Sequence, residues 1–208
     1  MESLTQEEQL KSDARRAFFD AHAHGWEERG YPADVRVRLE ALVECFGIES
    51  GEKILDVGCG EGVLVPYLLD RLGPTGFVVE LDNSLEMLKG AAKKSARQIQ
   101  CVWSAVETLP LVDEDFDRVI CFASFPHFAN PLKALKQIHR VLKPAGSLVI
   151  AHLLSREEIA RHHHLLDGRS LRAAFQHKAL GPEEHLPVVH RVGIGKRSDD
   201  HKIQRIEH

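Results

Sequence analysis

The sequence predicts an α/β fold: a doubly wound, mostly parallel sheet with helices on both faces and an N-terminal helical cap. Two observations predict it. From Lys53 onward, short apolar runs alternate with amphipathic stretches, which is the pattern of βαβ units in a parallel sheet. The first of these runs leads directly into a glycine-rich turn and then into a stretch with helical spacing. Beyond about Leu165 the pattern no longer defines strands with certainty.

The chain is predicted to divide into a cap, a core and a C-terminal segment. Residues 1–50 form the helical cap of the same domain, residues 51–165 the core, and residues 166–208 an atypical, poorly ordered end. Apolar residues recur at helical spacing in the cap: Leu39, Leu42, Val43 and Phe46. The predicted strands of the core are Lys53–Val57, Phe77–Leu81, Ile99–Trp103, Phe116–Phe122 and Ser147–His152. In the C-terminal segment only Leu186–Ile194 is a plausible further strand.

The helices between these strands carry recognisable N-terminal caps. Polar side chains at the start of each helix can accept from the first free backbone N–H groups. The predicted caps are Asn83 with Glu86, Asn130 before Pro131, and Ser155 with Glu158. They place a helix after the second, fourth and fifth predicted strands, as a βαβ arrangement requires.

The composition excludes several classes of protein. The 208 residues are 43% hydrophobic and 28% charged, as expected for one globular domain. The sequence has no apolar run long enough for a membrane span and no signal peptide, so we expect a cytoplasmic protein without a membrane partner. The net charge of −4, with dispersed Lys and Arg, argues against nucleic acid and favours a small-molecule partner. The four cysteines form no CxxC pair, so buried thiols are expected rather than disulfides or a zinc site.

The segment from Ile54 to Gly62 is the strongest functional signal. A buried strand ends at Asp56–Val57 and is followed by glycines at positions 58, 60 and 62. Glycines let the backbone approach a ligand closely, and an acid at the end of a strand can accept from a cationic amine or a hydroxyl. The alternative is a tight strand-to-helix turn that binds nothing.

A second acid, Asp82, ends the next predicted strand. In nucleoside-binding sheets an acid in this place binds the ribose hydroxyls. Its position just before a helix also allows a plainer interpretation, in which Asp82 only stabilises the N-terminus of that helix. After the glycine turn, the ligand-binding interpretation is favoured.

The glycine spacing favours a methyltransferase over a dehydrogenase. The dinucleotide fingerprint is GxGxxG, whereas here the residue after Gly62 is Val63. The region from Phe19 to about His163 resembles class I S-adenosylmethionine-dependent methyltransferases with a Rossmann-like fold, the methyltransferase type 11 group that includes the ubiquinone and menaquinone C-methyltransferases. The matching stretches are Phe19–Trp26, Asp56–Gly62, Val79–Leu88, Glu107–Pro110 with Asp115–Asp117, and Arg140–Pro144.

The resemblance implies that residues 51–165 bind S-adenosylmethionine as cofactor. The resemblance implies that Asp56, Gly58 and Gly60 bind the methionine end, that Asp82 binds the ribose, and that Asn83 or Leu81 lines the adenosine. Cys59 of the glycine turn and Val106, whose backbone N–H faces the adenine ring, complete the predicted cofactor-binding set. Many relatives bind the adenine amino group with an acid two residues before the Glu of a Glu-x-Leu-Pro segment. Here Ala105 occupies that position, and Ser104 is the nearest polar substitute.

Histidines and cap aromatics are the candidates for the acceptor side of the site. His127 matches a histidine common among the relatives, and His152 closes the fifth predicted strand, so either can serve as a catalytic base. Together with His163 they could form a base or a metal site, although solvated or structural histidines are the plainer interpretation, and no metal is predicted. Trp26 and Tyr31 can roof the acceptor pocket or simply pack within the cap.

The function predicted by these features is methyl transfer from S-adenosylmethionine to a small molecule, whose identity the sequence does not reveal. A homodimer is left open. One alternative is a non-catalytic S-adenosylmethionine-binding protein, since residues 181–208 do not clearly supply the antiparallel hairpin that closes the sheet of most relatives. A nucleotide-dependent oxidoreductase is a less favoured alternative because of the glycine spacing.

Overall fold

A computed structural model describes residues 3–31, 33–94, 97–153 and 188–193 of the chain. Three helices precede the sheet: α1 (Gln6–His22), α2 (Trp26–Gly30) and α3 (Ala33–Glu44). The strands are β1 (Lys53–Val57), β2 (Phe77–Asp82), β3 (Ile99–Trp103), β4 (Phe116–Phe122), β5 (Leu142–His152) and β6 (Val188–Gly193). The remaining helices are α4 (Val65–Leu72), α5 (Leu85–Ala92) and α6 (Pro131–Val141). In this part of the chain, no helix is both long enough and apolar enough to cross a membrane.

The sheet has the strand order β3-β2-β1-β4-β5-β6. Strands β1 to β5 are parallel to their neighbours, whereas β6 runs antiparallel to β5 at the edge. The predicted α/β fold is confirmed, and β6 lies inside the stretch predicted as a further strand. The direction of strand succession reverses between β1 and β4, which opens a crevice at their carboxyl ends.

The core has a layer on each face of the sheet. Alternate residues of one strand enter different layers: Leu55 packs in the layer that includes Ile138 of α6, and Ile54 in the layer that includes Leu68 of α4. The predicted apolar stripe of the cap is fully buried in this second layer, as shown by Leu39, Leu42, Val43 and Phe46 at 0% exposure. Helices therefore cover both faces, as predicted.

Strand β5 begins at Leu142 instead of the predicted Ser147. Leu142 pairs with Phe116, and the register then shifts before Arg118 pairs with Ser147. The segment Lys143–Gly146 thus lies within the strand, at an irregularity in its pairing with β4. The pairing of Leu142 with Phe116 joins residues that are distant in the sequence, so local sequence patterns do not predict it.

The cap of α5 is Ser84, so the prediction of Asn83 in this role was wrong. The Ser84 hydroxyl accepts from the Met87 backbone N–H at 3.1 Å, while Asn83 donates to Ser12 of α1 at 3.1 Å. The predicted cap Asn130 is confirmed, since its side chain accepts from the Lys133 N–H. The predicted cap at Ser155 lies outside the described residues.

Helix α1 crosses the carboxyl edge of the sheet and is held at both ends. Near its N-terminus, Glu8 forms an ion pair with Lys133 of α6 at 2.9 Å. Near its C-terminus, Asp20 accepts from the Ser84 hydroxyl at the start of α5 at 2.6 Å. The helix thus spans the crevice between the two halves of the sheet.

Arg118 of β4 is a buried cation, with 2% of its surface exposed. Its guanidinium donates to Glu52 at 2.7 and 3.0 Å, to Ser147 Oγ at 2.6 Å and to the Gly47 carbonyl at 2.7 Å. It therefore ties β4 to β5 and to the segment before β1, on the side of the sheet away from the crevice.

Replacing Arg118 with Ala is expected to lower the free energy of unfolding by about 3–5 kcal/mol, because the partly buried Glu52 carboxylate, 13% exposed, loses its counter-charge. Urea denaturation measures the change, and Arg97→Ala at an exposed position is the control. If both variants stay within about 0.5 kcal/mol of the wild type, the Arg118 cluster does not stabilise the fold.

Candidate active site

The glycine turn after β1 is built from left-handed backbone. Gly58 has φ +71°, and a Cβ there would lie 2.4 Å from Cβ of Ser124, whose hydroxyl donates to the Val57 carbonyl at 2.6 Å. Gly60 has φ +58°, but its nearest contact for a Cβ is the Met87 sulfur at 4.0 Å. Gly58 is therefore required by packing, whereas Gly60 leaves open space at the crevice.

Asp82 connects this turn to the start of α5. One carboxylate oxygen accepts from the Gly60 N–H at 2.9 Å, and the other accepts from the Ser84 N–H at 2.8 Å. Burial raises the pKa of Asp82, while these backbone donors act against the rise. Each oxygen retains acceptor capacity, so the carboxylate both holds the helix start and remains able to accept from a ligand hydroxyl.

Asp56 lies beneath the turn and is 1% exposed. Its Oδ2 has no hydrogen-bond partner among the described residues. Burial raises the pKa of Asp56 well above its ordinary value, and the nearby carboxyls of Glu80 and Asp82 raise it further. An unpartnered buried acceptor is costly, which makes this oxygen suited to a ligand that brings a cationic donor.

A cavity of about 160 Å³ lies between the glycine turn, the ends of β2 and β4, and the cap. Most of the predicted site residues line it: Gly58, Cys59, Gly60, Asp82, Asn83, Val106 and His127. Among the described residues, Asp56 and His152 are not part of this lining. The structure thus brings the glycine turn after β1, Asp82 at the end of β2 and the candidate base His127 to one cavity.

The adenosine end of the predicted site is the wall formed after β3. Ala105 and Val106 line the cavity there, and so does Ser104. The Ser104 hydroxyl donates to the Ala105 carbonyl at 3.1 Å. Because its proton is directed to that carbonyl, the Ser104 oxygen can act as an acceptor toward the cavity.

Helix α1 contributes residues that the sequence analysis missed. Ser12, Arg15, Arg16 and Phe19 all line the cavity. The Arg15 guanidinium donates to the His127 carbonyl, and burial lowers the pKa of Arg15 while Glu107 acts in the opposite direction. The spacing of these residues along one helix face was the signal that could have found them.

The cap aromatics both line the cavity and pack on their neighbours. Phe19 meets Trp26 edge to face with ring centroids 5.6 Å apart, and Tyr31 lies 6.0 Å from Phe122. Burial, together with the nearby charge of Asp56, raises the pKa of Tyr31 to about 12. The two interpretations of Trp26 and Tyr31, roof and packing, are therefore compatible.

The candidate histidines occupy different places. His127 follows β4, lines the cavity and meets the Phe19 ring edge to face at 5.3 Å. His152 ends β5, where it pairs with Val188 of β6. His163 lies outside the described residues, and within the described ranges no group of three metal-binding side chains occurs.

A family model described as a methyltransferase domain matches residues 55–150. An uncharacterized 37.1 kDa protein in transposon TN4556 of Streptomyces fradiae is 32% identical over 111 residues, which cover 52% of this chain and 32% of that protein. A demethylmenaquinone methyltransferase of Staphylococcus aureus is 34% identical over 116 residues, covering 55% of this chain and 48% of the relative. The chain thus spans about a third and about half of the lengths of these relatives.

Among solved structures, the crystal structure of an S-adenosylmethionine-dependent methyltransferase from Aquifex aeolicus superposes with a TM-score of 0.56 at 29% identity. The match covers 61% of this chain and 71% of that one. This similarity agrees with the α/β fold described above. Residues 55–150 therefore match the methyltransferase-domain family, and the fold is similar to that of an S-adenosylmethionine-dependent methyltransferase.

Proposed function

We propose that this chain is an S-adenosylmethionine-dependent methyltransferase that acts on a small molecule. The observation that carries the proposal is the hydrogen bond between Asp82 and the Gly60 N–H, which sets an acid suited to bind ribose hydroxyls beside the glycine turn. The name of the demethylmenaquinone methyltransferase supports a small-molecule acceptor. The proposal includes a cytoplasmic location and the absence of a nucleic-acid partner, as the sequence predicts.

The residues present fit the cofactor. Asp82 is positioned to accept from the ribose hydroxyls, and the backbone from Gly58 to Gly60 faces the cavity where the methionine part would lie. The unpartnered oxygen of Asp56 suits the ammonium group. Asn83 and Val106 line the end assigned to the adenosine.

When bound, the sulfonium group supplies an activated methyl group and a neutral leaving group. The chain must then mainly align the acceptor and exclude water. Helix α1 covers the cavity through Arg15 and Phe19, and Trp26 and Tyr31 add an apolar wall. These residues are suited to hold an acceptor against the glycine turn.

His127 is our proposed base for an acceptor that must lose a proton. His127 lines the cavity in the segment after β4, and its backbone carbonyl accepts a hydrogen bond from Arg15. His152 is not among the described residues that line the cavity, so its part in proton transfer stays a prediction.

Titration calorimetry tests directly which cofactor the chain binds. S-adenosylmethionine and its demethylated product should bind, whereas NAD should not. If neither adenosyl ligand binds at about millimolar concentration, the proposal fails, and binding of NAD alone would favour the oxidoreductase alternative. Binding without turnover in a screen of small-molecule acceptors would favour the non-catalytic alternative.

Asp82→Ala is expected to weaken cofactor binding by about 1–3 kcal/mol, because a hydrogen-bonded carboxylate is removed from a polar ligand. Calorimetry measures the dissociation constant, and circular dichroism checks the fold. An unchanged dissociation constant in a folded variant would mean that Asp82 serves only the glycine turn and the start of α5.

Gly60→Val should abolish cofactor binding yet leave the protein folded. The added side chain enters open cavity space, and the left-handed backbone adds strain of about 1–2 kcal/mol. Gly58→Val is the contrasting variant, expected to unfold because its Cβ overlaps Ser124. Full affinity in Gly60→Val would place the ligand elsewhere.

His127→Ala should lower the methyl-transfer rate by roughly 10²- to 10⁴-fold and leave cofactor affinity nearly unchanged. The substitution removes the imidazole but keeps the backbone carbonyl that Arg15 contacts. Rates are measured with an acceptor found in the turnover screen. A wild-type rate in this variant would exclude His127 as the base.

A further inference from the structure

Glu80 is a fully buried carboxyl that the proposed function does not yet use. It lies in the middle of β2 and is 0% exposed. In the sheet register it pairs with Asp56 of β1 on one side and with Cys101 of β3 on the other. Neighbouring strands lie about 4.8 Å apart and paired residues point to the same face, so the two carboxyls are close neighbours.

These carboxyls lack the partners that buried acids ordinarily have. Both oxygens of Glu80 and Oδ2 of Asp56 have no hydrogen-bond partner among the described N–H and O–H groups. The weakly donating thiol of Cys59 faces Glu80 from the glycine turn. The pair is therefore unsatisfied and lies directly below the segment that lines the cavity.

The surrounding charges do not compensate the pair. Among the described residues, Lys94 is a cation whose charge lowers the pKa of Glu80, but its ammonium group is ion-paired with Glu27. Further titratable groups face the two carboxyls from β2, β3, β4 and the cap: Asp82, Cys101, Cys121 and Tyr31. None of these four carries a positive charge.

Two adjacent carboxylates in such surroundings cannot both ionise at low cost. Burial raises the pKa of Glu80 to about 7 and that of Asp56 well above its ordinary value. The pair therefore titrates as a unit and holds at least one proton near neutral pH.

We propose that Glu80 is a further residue of the cofactor site: with Asp56 it forms a proton-holding pair that releases a proton to solvent when the cofactor's ammonium group binds. The inference rests on the proposed function. A cation beside Asp56 favours the ionised form of the pair, so the positive charge that enters is balanced by the proton that leaves. Glu80 is a positioning residue here, because it acts through Asp56.

The affinity for the cofactor should depend on pH. The free protein holds the proton below the pKa of the pair, and binding must then expel it. Affinity should therefore rise as the pH increases from about 6 to about 8, by up to roughly tenfold per pH unit for one released proton, and level off above the pKa.

Calorimetry with S-adenosylhomocysteine, which keeps the ammonium group, tests whether binding releases a proton. In phosphate and in Tris at the same neutral pH, the observed enthalpies should differ by an amount that corresponds to a fraction of a proton released. Glu80→Gln should remove most of this difference and flatten the pH dependence. Glu86→Gln, the same substitution at an exposed position on α5, should behave as the wild type.

Infrared difference spectra of the wild type provide a measurement that needs no variant. Ligand binding should remove the band of a buried protonated carboxyl. Equal enthalpies in both buffers, with pH-independent affinity, would overturn the inference while leaving the proposed cofactor intact. Absence of binding in every buffer would instead contradict the proposed function and this inference with it.

Discussion

The bond network around the Asp82 carboxylate is the constraint on which the site depends. Its oxygens accept hydrogen bonds from the Gly60 N–H and the Ser84 N–H, while the Gly58 N–H donates to the Leu81 carbonyl at 2.7 Å. The end of β2 thereby fixes both the path of the turn after β1 and the first residue of α5. A left-handed turn is costly for most residues, and this network keeps it in place at the crevice.

The N-terminal cap covers the crevice at the carboxyl edge of the sheet. Helix α1 reaches from α6 to α5, held by Glu8 at one end and by Asp20 at the other. The bonds from Lys133, Thr5 and Asn130 lower the pKa of Glu8 to about 2, so this anchor keeps its charge across the physiological range. Because Arg15 and Phe19 line the cavity, the cap partly covers the crevice, and polar interactions gain strength there as water is reduced.

Local patterns predicted the sheet and the strand-end motifs, because strand alternation, glycine turns and terminal acids are properties of neighbouring residues. Features that depend on distant contacts were missed or misplaced. Ser84 rather than Asn83 caps α5 because Asp82 directs the Ser84 N–H, and β5 begins at Leu142 because of its pairing with Phe116. In the sequence, Glu80 looks like an ordinary polar residue near the end of a strand. Only the pairing of β2 with β1, which sets Glu80 beside Asp56, reveals a buried pair of acids.

We expect one nucleoside ligand to occupy the space between the glycine turn and Asp82. A crystal structure of the full chain with S-adenosylhomocysteine tests it most directly. The predicted result is a ligand whose ribose hydroxyls hydrogen-bond to Asp82 and whose amino-acid end lies over the backbone from Gly58 to Gly60. A ligand bound away from this edge of the sheet, with Asp82 contacting only its two backbone N–H groups, would contradict the account.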